Sequence, residues 1–337
     1  MKKEKRILTA THLDLHNERM SKQSLYEVAE DINSTRKPRI GIEHDMTLPP
    51  LGRINDAEVI QGEDGEYYLI GHEEYFNHQE RILINGQVFI VDSFKDEEFS
   101  FSEIQKDSLE RIEISVDSQN FDSYDSADNF FKEIHEETKI DFDKMGISRK
   151  SLISDPELMF RLSVNLLYGY FGLKIGNLVL AKTAEKLSDK ISDDLVGLYG
   201  LLKSATIKAL LYMNPKNRPI TYIVEFPAEI NITLIMVGKS PETFLKAMDE
   251  KTVKKLKPQI KYLVEKLDAE KIQFILNDKD KWELNYCLTK DGKSIGSEKS
   301  RKKRDVVLSN LIEKQKIKAK KQILHTKPQE LKVKSDS

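Results

Sequence analysis

The stretch that most constrains the fold is residues 38–59, PRIGIEHDMTLPPLGRINDAEV. Two apolar runs flank a turn that contains a His-Asp pair, two adjacent prolines and a glycine. Proline has no backbone N–H to give to a sheet, and glycine relaxes the backbone. The pattern therefore predicts a strand, a turn that displays His44 and Asp45, and a second strand.

The residues around this turn predict a mainly β unit over 1–142 with one early helix. Helical spacing of apolar residues places that helix over 21–34, with Ser21 or Asn17 as its N-cap. Asn85-Gly86 lies at the centre of the clearest hairpin signal in the chain. The segment 111–119, RIEISVDSQ, alternates as a half-buried strand does, with Ser115 on the face opposite the isoleucines.

The second half of the chain has a different character. Residues 143–156 are interpreted as a linker, and residues 157–298 as a helical hairpin followed by a small antiparallel sheet with a helix. The hairpin is predicted over 157–190 and 192–213, and a basic tail over 299–337 contains a helix over 304–320. Helix and strand signals are segregated rather than alternating, so the fold class is predicted to be α+β.

Charge and cysteine content limit the cellular compartment and the kinds of site that this protein can have. Residues 299–337 carry 13 Lys+Arg against 4 Asp+Glu, a balance of +9, so the remaining 298 residues, with 41 against 52, carry −11. One cysteine, Cys287, excludes an intramolecular disulfide and a cysteine-based zinc site. The N-terminus has a basic start without the apolar centre of a signal peptide. We expect a cytoplasmic protein.

The familiar cofactor motifs are missing from the sequence. There is no GxGxxG, no GxxxxGK[ST] and no HExxH, so nucleotide-binding loops and zincin chemistry have no support, and no cofactor is expected. His72 and His78 lie among glutamates, but their six-residue separation fits neither one face of a helix nor alternate positions of a strand. No metal site is predicted.

Several ordered segments resemble one protein family. These are Arg19-Met20-Ser21-Lys22, His44-Asp45, Pro50-Leu51-Gly52-Arg53 and the strand 66–71, EYYLIG. Together they are similar to the prohead (capsid maturation) proteases of tailed phages, over about residues 7–125. The resemblance implies a β-barrel serine endopeptidase fold, like that of the herpesvirus assemblins.

The resemblance also implies a catalytic pair. His44 matches the family's histidine, and Ser115 is the candidate serine. Ser115 Oγ would attack a peptide carbonyl of a capsid, host or self peptide bond, and His44 would remove its proton. The third member is left open among His72, His135 and Asp117, while Asp45 points to the opposite strand face.

The alternative is a protease-like protein without catalysis. The family's serine more often lies in an L-S-x-G-F-like segment, and no such glycine follows Ser115. Under this interpretation Ser115 is a solvent-facing strand serine and His44 a turn histidine bonded to backbone. The fold then serves as a sensor that binds a phage or capsid protein, in phage defence for example, and the attached half acts as effector.

Two further segments indicate partners. Residues 158–181 are long and apolar enough to suggest membrane contact or self-association through Gly169, Gly172 and Gly176, or else a buried helix of the hairpin. The basic tail is interpreted as solvated or as a contact for nucleic acid or anionic lipid. It has no aromatic residue for stacking on single strands.

Overall fold

A computed structural model describes most of the chain. It covers residues 5–12, 19–42, 45–84, 86–95, 97–101, 112–117, 120–146, 156–163, 166, 171, 184–213, 219–228 and 230–325, with residues 146, 184–196 and 314–325 as backbone alone. Both helices and sheets are present, so the α+β prediction is confirmed.

The strands, in chain order, are β1 (Arg6–Ala10), β2 (Arg36–Lys37), β3 (Arg39–Ile40), β4 (Gly52–Gln61), β5 (Tyr67–Tyr75), β6 (His78–Ile84), β7 (Gln87–Ser93), β8 (Ser100–Phe101), β9 (Ile112–Val116), β10 (Phe142–Gly146), β11 (Glu157–Arg161), β12 (Thr221–Phe226), β13 (Asn231–Val237), β14 (Ala269–Leu276), β15 (Trp282–Thr289) and β16 (Ser294–Ser297). The helices are α1 (Lys22–Asn33), α2 (Tyr124–Thr138), α3 (Ala184–Tyr212), α4 (Pro241–Ala247), α5 (Glu250–Lys254), α6 (Lys257–Leu267) and α7 (Glu298–His325).

The first sheet is built by the N-terminal segment. Its order is β1-β5-β4-β3, and every neighbouring pair is antiparallel. Helix α1 covers one face, where Leu25 and Ile32 pack with Ala57 and Leu69. The α1 prediction is confirmed, with Ser21 as the N-cap because its hydroxyl accepts from the Ser24 N–H at 3.0 Å.

The second sheet has ten strands in the order β10-β9-β11-β12-β13-β14-β15-β16-β7-β6. It is mixed: β13 and β14 are parallel, for example, whereas β14 and β15 are antiparallel. Strands from both sides of residues 143–156 belong to it, including the predicted hairpin β6–β7, whose Gly86 has φ +79°.

The two faces of this sheet differ. On one, which we call the packed face, strand residues such as Phe160, Val224 and Phe274 join the main hydrophobic core. Helices α2, α3, α4 and α6 cover it, with Phe130, Leu201, Phe244 and Leu263 in the same core. The other face, which we call the polar face, carries the alternate residues of the same strands.

Several predictions for the second half are wrong. Residues Glu157–Arg161 form strand β11 rather than a helix, because a short apolar run fits a buried strand and a helix equally well. Strand β10 (Phe142–Gly146) extends into residues 143–156, where a linker was predicted, and α3 runs without a break through residue 191. The sheet is large and mixed, not small and antiparallel.

The single helix predicted with the small sheet is three helices, α4 to α6, because Asp249 caps a new start and Pro258 lies in the first turn of another helix. Most of 164–183, including Gly169, Gly172 and Gly176, lies outside the described residues. Among the helices that the structure describes, none is long and apolar enough to cross a membrane.

Candidate functional site

The polar face carries a line of residues that are opposite one another from strand to strand. We call it the polar row: Glu113, Arg161, Glu225, Thr233, Gln273 and Tyr286, on β9, β11, β12, β13, β14 and β15. Register partners on one face bring side chains within about 5 Å of each other, so the row is a continuous strip of hydrogen-bonding groups.

Arg161 links the two carboxylates of the polar row. Its Nη1 donates to Glu113 Oε1 at 3.1 Å, and its Nε donates to Glu225 Oε2 at 3.0 Å. Burial disfavours the charged guanidinium, but the fields and hydrogen bonds of Glu225 and Glu113 outweigh it, so the pKa of Arg161 is raised. One cation between two carboxylates leaves this cluster with a formal excess of negative charge.

Ser115 belongs to the same cluster. Its hydroxyl donates to Glu113 Oε1 at 2.7 Å, and the residue is fully buried. Ser115 does lie on the face opposite Ile114, as predicted, but it is not a solvent-facing serine. The turn that follows β3 lies over this face, where Met46 packs against the cluster of Met159, Ile223 and Ile235, and Met159 is the register partner of Ser115.

That turn is hydrogen-bonded to the sheet through its backbone. Gln273 Nε2 donates to the carbonyl of Met46 at 2.9 Å, and Asn285 Nδ2 donates to that of Thr47 at 2.7 Å. Thr47 Oγ1 also accepts from Lys303 Nζ at 2.5 Å. Residues 45–50 are therefore held against the polar face by β14, β15 and helix α7.

The predicted catalytic pair is only half described. Glu43 and His44 lie outside the described residues. Asp45, the next residue, has Oδ1 accepting from the Thr47 N–H at 2.8 Å and Oδ2 at 3.5 Å from Lys303 Nζ. The conspicuous aspartate of the motif thus stabilises its own turn.

The candidate third members are separated in the structure. His72, on β5 in the first sheet, has Nε2 at 3.3 Å from Asp56, and His135, on α2, has Nδ1 at 3.0 Å from the carbonyl of Ile140. Asp117, directly after β9, is buried. Among the residues that the structure describes, no histidine, cysteine, aspartate and glutamate group has the arrangement of a metal site.

A second charged cluster, missed by the sequence analysis, also lies on this face. Asp92 of β7 accepts from Arg301 and, at 2.8 Å, from Arg304 Nη1, and Arg304 Nη1 also reaches the carbonyl of Pro50 at 3.0 Å. Arg301 Nη2 donates to the carbonyl of Ser294 at 2.6 Å. The start of the predicted tail is therefore an anchor of the fold, with Arg301 and Arg304 buried.

Burial dominates the electrostatics of the Asp92 cluster. Desolvation lowers the pKa of Arg301 to about 10, although Asp92 opposes it. Gly296 leaves the space for this guanidinium, since a Cβ there would lie 2.7 Å from Arg301 Nε. The signal available in the sequence was the acid that ends the apolar run FIVD of β7, because a buried carboxylate needs a cation or hydrogen-bond donors, and Gln79 Nε2 also donates to Asp92 at 2.9 Å.

A buried lysine completes the polar face. Lys271 lies next to the polar row on β14, in register with Asn231 and Leu288. Desolvation, followed by the charge of Arg39, lowers its pKa. Arg39 itself donates from Nη1 to the Tyr286 hydroxyl at 2.6 Å, so the strand before the turn also contacts this face.

Comparisons with known proteins find no similar family or structure: no family model matches the chain, and no match is found among curated proteins or among solved structures.

Proposed function

We propose that this chain is a cytoplasmic, protease-like interaction protein in which Ser115 is not a nucleophile. Its N-terminal part, which resembles the prohead proteases, binds a phage or capsid protein, and the large sheet and its helices respond to that binding. The observation that carries the proposal is the state of Ser115: the residue is fully buried and its hydroxyl donates to Glu113.

The chemistry of acyl transfer explains why this observation matters. A nucleophile must come within about 3–3.5 Å of the substrate carbonyl and pass its proton to a general base. The Ser115 hydroxyl has no accessible surface, and its proton is directed to a carboxylate that Arg161 also binds. Ser115 supports the polar row in this arrangement.

Contacts between the halves support a responsive role. The turn of residues 45–50 is bonded to Gln273, Asn285 and Lys303 of the C-terminal half. A partner that moves the N-terminal part therefore has to break or shift these bonds. That linkage gives partner binding a direct effect on the large sheet.

The test is a fluorophosphonate labelling and proteolysis assay on the purified full chain, with casein cleavage and self-cleavage as readouts. We expect no labelling and no cleavage by the wild type, Ser115→Ala or His44→Ala. Ser115→Ala should lower the free energy of unfolding by about 1 kcal/mol, because Glu113 loses one hydrogen bond. Ser93→Ala, at another buried strand serine, is the matched control.

The second candidate is an active serine endopeptidase. It is favoured by the position of Met46, two residues after His44 in the chain, which packs against the apolar cluster that includes Met159, the register partner of Ser115. Under this candidate the wild type and Ser93→Ala are labelled, whereas Ser115→Ala is not. That pattern would reject the proposal of an inactive protease-like protein.

A further inference from the structure

An open cleft of about 1120 Å³ lies at one end of the ten-stranded sheet. Its floor is made by the ends of β13 and β14 and by residues of β15 and β7. Helix α6, which packs on the core side of the sheet, forms one wall, and the first turns of α7, bonded to the polar face, form the other. The cleft is distinct from the Ser115 cluster, none of whose residues lines it.

Four lysines surround the cleft: Lys239, Lys255, Lys299 and Lys303. Lys239 pairs with Asp280 at 2.8 Å, and Lys303 contacts Asp45 and Thr47. Within the described part of the chain, no carboxylate lies within 4.0 Å of the ammonium of Lys255 or of Lys299. Both of these side chains belong to exposed residues on opposite walls.

Carboxylates in and beside the lining offset part of the charge of the four lysines. Asp278 and Glu283 are the carboxylates among the lining residues, and Glu283 already accepts from Asn277 Nδ2 at 2.5 Å. Together with Asp280 and Asp45, which pair with Lys239 and Lys303, they give four carboxylates for four lysines. Lys255 and Lys299, which have no carboxylate within 4.0 Å in the described part of the chain, are the two lysines open to contact phosphate groups.

Aromatic rings add a second recognition element. Trp282 and Tyr262 line the cleft, and each is only partly buried. The indole N–H of Trp282 donates to the carbonyl of Ala247 at 3.2 Å, which holds the ring in place. A fixed, partly exposed indole in a cleft that Lys255 and Lys299 also line suits a ligand that has both a π-face and negative charge.

We propose that the cleft binds a nucleotide, meaning a small ligand with an aromatic base and at least two phosphates. Its volume slightly exceeds the usual range of about 300–1,000 Å³ for small-molecule pockets, which leaves room for a ligand of this size. The base stacks on Trp282 or Tyr262, and the phosphates pair with Lys255 and Lys299. Lysine side chains replace the glycine-rich loop that the sequence lacks.

The single tryptophan gives a direct assay, because Trp282 is the only source of indole emission in the chain. ADP and ATP are titrated into the full-length protein while this emission is followed, with inorganic pyrophosphate as the ligand without a base. We expect saturable quenching by ADP, tighter binding of ATP, and weaker binding of both at high salt. Pyrophosphate should bind more weakly than ADP.

Variants test the residues. Lys255→Glu and Lys299→Glu should each weaken ADP binding about tenfold or more, because each replaces a phosphate contact by a repulsion. Lys203→Glu, the same charge change at an exposed residue of α3, should leave binding unchanged. Trp282→Phe, followed by calorimetry, should weaken ADP at least about fivefold and pyrophosphate little.

Three results would overturn the nucleotide site. The first is no saturable response to ADP or ATP, the second is equal affinity for pyrophosphate and ADP, and the third is a loss in Lys203→Glu as large as in Lys255→Glu. Circular dichroism and thermal unfolding of each variant confirm that it folds. No peptide substrate is involved, so these outcomes are independent of the proposed function.

Discussion

The two arginine clusters on the polar face have opposite numbers of guanidiniums and carboxylates. In the first, one guanidinium, Arg161, lies between two carboxylates, Glu113 and Glu225. In the second, two guanidiniums, Arg301 and Arg304, share one carboxylate, Asp92. The pKa of Arg161 is raised and that of Arg301 is lowered to about 10.

The difference shows that burial alone does not decide the sign of a shift. Both arginines lose hydration, and this loss favours the neutral form of each. At Arg161 the two carboxylates, Glu225 before Glu113, outweigh the lost hydration, whereas at the more deeply buried Arg301 a neighbouring cation, Arg304, adds to it. Removal of the carboxylate that two buried cations share should therefore lower the free energy of unfolding more than a substitution in the other cluster.

The largest effect is expected at Asp92. Asp92→Ala leaves Arg301 and Arg304 without their shared carboxylate, and removal of one partner from a buried pair costs about 3–5 kcal/mol. Urea unfolding followed by circular dichroism measures the loss. Glu250→Ala removes an exposed pair with Lys254 and is the control, with a cost of about 0.5 kcal/mol or less. A loss below about 1 kcal/mol in Asp92→Ala would contradict the comparison.

A smaller loss is expected at Arg161. Arg161→Met leaves Glu113 and Glu225 facing one another, but the arginine side chain is 26% exposed, so water offsets part of the cost. We expect about 2 kcal/mol in urea unfolding at neutral pH. Arg161→Lys keeps the charge and should lose less, and Arg161→Met/Glu225→Gln should recover part of the loss. If the double variant is no more stable than Arg161→Met, the two carboxylates do not repel.

The smallest change in stability is expected at Glu270, a buried carboxylate to which no guanidinium of the described residues is bonded. Glu270 lies at a bulge between Ala269 and Lys271, and its Oε1 has no hydrogen-bond partner in the described structure. Desolvation raises its pKa, although the charge of Arg36 and the Phe101 N–H oppose the shift. A carboxyl with a raised pKa stabilises the fold below the pKa of the unfolded chain and loses that contribution as pH rises.

Glu270→Gln should therefore match the wild type in acid and be more stable than it at neutral pH. Thermal unfolding of both proteins, from below the reference pKa of about 4.3 up to neutral pH, measures the difference. A gain that is the same at every pH would show that the ionisation of Glu270 is not its source.

Local patterns in the sequence predicted much of the N-terminal half. Helical spacing and Ser21 located α1, and Asn85-Gly86 located the β6–β7 hairpin. Alternation placed Ser115 on the face opposite Ile114. These features depend on neighbours a few residues apart, so they can be read from the chain.

Long-range pairing decided the rest. Leu158–Phe160 became a strand because β9 and β12 were available on either side, not because of its own pattern. The basic run 301–304 is fixed to the sheet because Arg301 and Arg304 donate to Asp92, which is 209 residues from Arg301 in the chain.

The candidate site shows the same division. The sequence by itself identified His44 and Ser115 as candidate catalytic residues, but it did not single out the lysines of the cleft. Only the tertiary structure decided that Ser115 is buried beside Glu113 and that Lys255 and Lys299 face one cleft. Burial and charge pairing arise when distant strands meet, and their energies depend on partners that local sequence patterns do not specify.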